Sequence, residues 1–246
     1  MGSELTMQPG IAEVDESLNI RNRYLMNYLA ESAMADSARA GFTLENVFKT
    51  GESWVLSKIR LEFVAPVLYG NPLSIYTWHK GSEKCYGFRD YQVNSGGEIA
   101  VNATSVWVYT SIVRRKAIEA PFVSDDVFGL EKRSSTGYDI HAWKPDTSFA
   151  PDFITGITIR HSDYDPLNHV NNAVYVDYIE TLWHLAGHSA TKKMAAVNIQ
   201  YIREIGKGVD TIEASLVALG NGRFCFNLRH GDKVHAAGEI EWISIS

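Results

Sequence analysis

The feature that most constrains this chain is a weak internal repetition, in which an amphipathic helix followed by long alternating strands occurs twice. In the first half the apolar residues Leu25, Leu29 and Ala33 recur with the i, i+4 spacing of a buried helical stripe. In the second half Tyr175, Tyr178, Ile179, Leu182, Leu185 and Ala186 do the same. At an offset of 149, Leu18-Asn19 meets Leu167-Asn168, Asn22 meets Asn171 and Glu31 meets Glu180; at an offset of 143, Ile59-Arg60 meets Ile202-Arg203. Such a period is too long for a solenoid and indicates two similar halves. Each half closes on a hairpin pattern. Phe88–Val93 and Ile99–Tyr109 flank Asn94-Ser95-Gly96-Gly97, and Phe224–Leu228 and Val234–Trp242 flank His230-Gly231-Asp232. The alternation Phe224, Phe226, Leu228 predicts a strand with one buried face. The expected architecture is α+β, each half a long helix wrapped by an antiparallel sheet. We place the first half at residues 1–123, a polar, proline-punctuated connector at 124–152 and the second half at 153–246.

The stretch His161–Glu180 carries the densest chemistry. Asp165, Asn168, His169, Asn171 and Asn172 fall at or just before the first turn of the second helix. Unpaired N–H groups and the positive end of the helix dipole favour a negative oxygen there, the requirement of an oxyanion. At the offsets above, His169 falls opposite Ile20 and Glu204 opposite Leu61, so the first half lacks both polar groups. It is expected to supply apolar wall, with Met26, Met34 and Trp54 as candidates for lining an acyl slot.

Asp165, His169, Val170, Asn171, Asn172 and Tyr175 resemble the D-x-x-x-H-V-N-N-x-x-Y signature of hotdog-fold thioesterases. Tyr201-Ile202-Arg203-Glu204 resembles the Y-x-R-E element of fatty acyl-ACP thioesterases, and Trp54–Arg60 with Thr77-Trp78 is similar to that family's first half. The resemblance runs from about residue 14 to the C-terminus and implies a tandem (double) hotdog that releases fatty acid from acyl-acyl carrier protein without a cofactor. Glu204 is then the candidate general base, since a partly buried carboxylate titrates nearer neutrality. His169 would orient water or the carbonyl, Asp165 would fix the imidazole tautomer or share the base role, and Asn168 would supply a positioning amide. Two positions depart from the family pattern. Leu167 stands where D-x-N-x-H has its asparagine, and Ile205 stands where a cysteine often follows the glutamate. The alternatives are an acyl-CoA thioesterase, whose relatives carry D-x-x-G-H, and a non-catalytic acyl-binding hotdog module.

Composition excludes other classes. A net charge of −6 argues against nucleic-acid binding by whole-molecule attraction. No apolar run approaches a membrane span, and the N-terminus lacks the charged and apolar regions of a secretory signal. Two cysteines, Cys85 and Cys225, do not make a disulfide framework, so a cytoplasmic enzyme is expected, with a homodimer compatible. The chain has no G-x-S-x-G elbow, phosphate loop or dinucleotide fingerprint. Glu180, His184 and His188 have ligand spacing but lack the catalytic glutamate of H-E-x-x-H and lie opposite the apolar stripe, so no metal is expected. The basic clusters Arg114-Arg115-Lys116 and Lys192-Lys193 are candidate docking patches for an acidic carrier.

Overall fold

The computed structural model describes residues 2–120, 124–188 and 192–244, and its contacts divide the chain into two units, Met1–His141 and Ala142–Ser246. In the first unit, strands β1 (Ser3–Met7), β2 (Glu52–Phe63), β3 (Leu73–Glu83), β4 (Tyr86–Ser95) and β5 (Glu98–Ser111) form an antiparallel sheet in the order β1-β3-β4-β5-β2, with the short β6 (Lys116–Ala117) paired to β5. Helix α1 (Asn22–Arg39) packs on β3 and β1 and buries Leu25, Met26, Tyr28, Leu29, Ser32, Ala33 and Asp36. Its expected stripe is therefore the observed one. A short helix α2 (Leu44–Thr50), capped by the Thr43 hydroxyl, leads into β2. The β4–β5 hairpin turns on Gly96 and Gly97, both at positive φ, as a two-residue turn matched to strand twist demands.

In the second unit, β7 (Phe153–Thr158), β8 (Lys192–Tyr201), β9 (Thr211–Gly220), β10 (Arg223–His230) and β11 (Lys233–Ser244) are ordered β8-β11-β10-β9-β7, and helix α4 (Val174–Leu185) packs on β9 and β7. Its buried face is Val174, Tyr175, Val176, Tyr178, Ile179, Leu182 and Trp183. Two expectations change here. Leu185, placed in the stripe, is exposed at the last helical turn, and Trp183 is buried because it stacks on Trp242 at 4.1 Å. Strand β10 is buried on both faces, since Cys225 and Asn227 are as covered as Phe226. The covering chain is the segment before β7: Asn227 Nδ2 donates to the Thr147 carbonyl, and Trp143 Nε1 donates to Glu239 on the neighbouring β11. Burial pushes the Cys225 thiol up to about 11, so it is inert as a nucleophile.

The expected connector at 124–152 is not a single tether. Helix α3 (Ser124–Phe128) packs on β3 and α1, with Phe128 stacked on Phe42 and Asp125 paired to His79 at 2.7 Å. Trp78 Nε1 donates to the Arg133 carbonyl, and the Ser135 N–H donates to the fully buried Asp90. Residues 124–141 therefore lie against the first unit, while Trp143, Thr147 and Asp152 bond into the second. The polar, punctuated composition suggests a loop because it shows local propensity only. The expected boundary at residue 123 itself lies outside the described residues.

The two units repeat the backbone bonding of one loop. A 3-10 turn at Ile11–Glu13 recurs at His161–Asp163, the bridge Val14–Ile20 recurs as Tyr164–Val170, and Leu18 at φ 62° matches Asn168 at φ 64°. Asp15 Oδ1 accepts the N–H groups of Ser17 and Asn19, as Asp165 Oδ1 accepts those of Leu167 and His169. The true offset in this loop is 150, from Ile11 to His161, rather than 149. After the helix it becomes 138, because Ile20 donates to Val67 as Val170 donates to Ile205. The longer α1 and the extra α2 account for the change. His169 thus stands opposite Asn19, not Ile20, and Glu204 opposite Pro66, not Leu61. The first unit keeps the aspartate of the loop but has neither imidazole nor glutamate at the matching positions.

Leucine in the left-handed region carries a cost on the order of 1 kcal/mol that asparagine tolerates better. Leu18 is half exposed, so its removal forfeits little burial. Leu18→Asn is expected to raise stability by about 0.5 to 1 kcal/mol and the midpoint of a thermal melt by about 1 to 4 °C.

Candidate active site

Between Arg160 and Val174 the chain forms the loop that leads into α4, and its backbone is almost self-sufficient. The Asp163 carboxylate, fully buried, accepts from the Arg160 N–H, from the Arg160 guanidinium and from the Tyr178 hydroxyl at 2.7 Å. The Asn171 N–H bonds the Asp163 carbonyl, which ties the far side of the loop to the same point. Sequence reasoning passed over Asp163. Its signal is Glu13, which occupies the same place in the first unit and bonds the Tyr28 hydroxyl.

On this base stands the turn Asp165–His169. Asp165 Oδ1 takes two backbone N–H groups, at 2.8 Å from Leu167 and 3.2 Å from His169, and Asp165 N donates to the His169 carbonyl. Asp165 therefore fixes the backbone of His169 and makes no described bond to its imidazole, which corrects the tautomer-fixing role expected for it. Asn168 is the exposed tip of the turn, held at positive φ, where asparagine is favoured. The imidazole meets Glu204 instead. His169 Nε2 lies 3.3 Å from Glu204 Oε2, with the two side chains 24% and 41% exposed. Glu204 is thus more open to water than a partly buried base was expected to be.

The second arm comes from the end of β8. Val170 N donates to the Ile205 carbonyl, His169 bridges Gly206, and the Tyr201 hydroxyl donates to the Asn172 carbonyl at 3.0 Å. The Tyr175 and Tyr201 rings meet edge to face at 5.2 Å. Burial pushes both phenols well above their ordinary value, so both hydroxyls keep their protons as donors. The two motifs quoted from the sequence, far apart in the chain, are sewn together by these bonds.

The expected oxyanion site at the helix start is largely occupied by the chain itself. Asn171 Oδ1 accepts from the Ala173 N–H, the Asn171 carbonyl accepts from Val174 N, and the Ala173 carbonyl accepts from Val176 N. Asn171 accordingly closes a turn of its own just ahead of the helix. In the first unit Met26 is buried under α1, Met34 is half exposed, and Trp54 sits with Phe42 and Tyr109, its ring within 2.9 Å of where a Cβ on Gly87 would stand. Met34 therefore does not share the burial expected of a slot wall. His188, expected to face solvent or a partner, stacks on Trp183 at 4.1 Å.

Comparison with known proteins agrees with the fold. A match to the 12:0-ACP thioesterase from Umbellularia californica has a TM-score of 0.84 at 19% identity, covering 99% of this chain and 97% of that one. An acyl-ACP thioesterase from Bacteroides thetaiotaomicron gives a TM-score of 0.83 at 19% identity, covering 98% of each chain. At this identity they define the class as a tandem hotdog, the α+β architecture expected. Family models for the acyl-ACP thioesterase N-terminal domain and C-terminal domain match residues 5–128 and 147–244, so the chain belongs to the acyl-ACP thioesterase family. Palmitoyl-acyl carrier protein thioesterases named as chloroplastic from Gossypium hirsutum and Arabidopsis thaliana are each 28% identical, over 80% and 83% of this chain. The chain spans about half the length of these curated relatives, 50% and 52%. Among the described residues no helix is long and apolar enough to cross a membrane.

Proposed function

We propose that this protein hydrolyses the thioester of fatty acyl-acyl carrier protein, ending chain elongation with release of free fatty acid and carrier. The observation that carries the reading is the His169–Glu204 pair, held at 3.3 Å by the two motifs that resemble this family. In the proposed reaction Glu204 takes a proton from water as its oxygen bonds the thioester carbonyl carbon, with His169 orienting the reacting groups. Collapse of the tetrahedral intermediate breaks the C–S bond, and the thiolate leaves with the proton returned by Glu204. A thiolate is a good leaving group, so no covalent enzyme intermediate is needed. The commitment of Asp165 Oδ1 to two backbone N–H groups favours Glu204 over Asp165 as the base. Asn168 remains proposed as a positioning amide, Asn172 as a substrate-facing group, and Met26 and Trp54 as apolar wall within the first unit.

The exposed Arg114-Arg115 of the turn after β5 with Lys116 opening β6, and Lys193 at the start of β8, are proposed to steer an acidic carrier. The two free cysteines suit a reducing compartment such as the cytoplasm. A second reading, hydrolysis of acyl-CoA, is favoured by Leu167, which presents an exposed apolar side chain where the family has an amide. Acyl-ACP and acyl-CoA of matched chain length, assayed by release of free thiol, separate the two. The expected result is a higher kcat/KM for acyl-ACP, with KM rising as salt is added. A higher kcat/KM for acyl-CoA would replace the carrier, and tight binding without turnover of either would make the protein an acyl-binding module.

A further inference from the structure

His235 lies on β11, the strand paired with β8, and outside both motifs. Between β10 and β11 the register pairs Leu228 with Ala236 but Arg229 with Val234, so His235 is the extra residue of a β-bulge. A bulge bends its strand and re-aims one side chain. On the other edge of β11 the ladder with β8 ends at Ala236–Tyr201, and the His235 carbonyl then accepts from both Ile202 N and Arg203 N. The ring of the same residue reaches back into that turn. His235 Nδ1 lies 3.2 Å from the Arg203 carbonyl and 3.0 Å from the Glu204 carbonyl. Carbonyl oxygens only accept, so Nδ1 carries the proton and donates to both.

The ring is buried, at 5% exposure, and Nε2 has no described partner. A buried polar atom without a partner costs about 1 to 3 kcal/mol. An imidazole that serves only to fill space would be replaced at lower cost by an apolar side chain. Burial holds the ring below the usual histidine range, the two carbonyls oppose this, and His230 and Arg203 add to the lowering. The neutral ring with a single Nδ1–H is the form that suits the two acceptors.

We propose that His235 is a positioning residue for Glu204, its Nδ1–H clamping the carbonyls of Arg203 and Glu204 so that the Glu204 carboxylate stands opposite His169. The inference rests on the proposed role of Glu204 in thioester hydrolysis. It predicts a loss in turnover rather than in substrate binding, because the ring of His235 bonds the backbone behind the base.

The test compares His235→Leu, which fills similar volume with no donor, with His235→Asn, whose amide N–H can stand near the place of Nδ1. Using acyl-ACP, His235→Leu is expected to lower kcat about 10- to 100-fold with KM little changed, the scale on which displacement of a catalytic group acts. His235→Asn is expected to recover most of that loss. If His235→Leu does not fold, His235→Gln takes its place, with the donor one methylene too far out and the same loss expected. A folded Leu or Gln variant with wild-type kcat, or an Asn variant as slow as these, would overturn the proposal. Wild-type protein that hydrolyses no acyl thioester would instead remove the functional reading. The clamp is then read from the His169 ring NMR signals, expected to shift in the Leu or Gln variant and to return in the Asn variant; unchanged signals overturn it.

Discussion

Glu204→Gln is expected to lower kcat for acyl-ACP by about 10²- to 10⁴-fold, the range that positioned proton transfer contributes, while leaving KM and the melting midpoint close to wild type. The substitution keeps the size of the side chain and leaves an amide able to bond the His169 ring 3.3 Å away, so the local geometry survives. Only the capacity to take a proton is lost. The contrast is Asp165→Asn. An asparagine oxygen can still accept from the Leu167 and His169 N–H groups, so the turn is retained and a loss of no more than about tenfold is expected if Asp165 serves the backbone. Single-turnover release of thiol from acyl-ACP measures both. A Glu204→Gln protein that turns over at the wild-type rate, beside an inactive Asp165→Asn protein, would transfer the base role to Asp165.

The largest effect on stability is expected at Asp163. Its carboxylate is fully buried and gathers the Arg160 N–H, the Arg160 guanidinium and the buried Tyr178 hydroxyl. Asp163→Ala leaves the hydroxyl and the backbone N–H without an acceptor, and unsatisfied buried donors cost about 1 to 3 kcal/mol each. The half-exposed guanidinium can turn to water and adds little. The expected destabilisation is about 3 kcal/mol, or a fall of about 6 to 12 °C in the melting midpoint. The equivalent Glu13→Ala in the first unit, where the carboxylate is only partly covered, should cost less. Thermal melts of the two variants side by side check the order. An Asp163→Ala protein as stable as Glu13→Ala would mean that the base of the loop is held by backbone bonds alone.

Some of the site was legible because it depends on neighbours in sequence. The aspartate that accepts N–H groups two and four residues on is local chemistry, and it occurs in both units for that reason. The register of the repeat was not legible in detail. Matching single residues by type set the loop off by one, so His169 was placed opposite Ile20 instead of Asn19, and the longer α1 and extra α2 then displaced Glu204 from Pro66 to Leu61. The helix start was expected to offer its N–H groups to a ligand, yet Asn171 and its carbonyl consume two of them. A turn closed on these N–H groups and an anion site use the same atoms, and spacing alone does not say which holds them.

By itself the amino-acid order determined the α1 stripe, most of the α4 stripe, the glycine-turned β4–β5 hairpin and the polar loop before α4, because periodicity, positive φ and side-chain-to-backbone bonds all act over a few residues. Only the tertiary structure decided that His169 faces Glu204 and not Asp165, that β10 is covered on both faces, and that the bulged His235 aims into the turn behind the glutamate. Those outcomes depend on which strand edges pair and with what slip, and pairing partners distant in the chain leave no mark in local propensity.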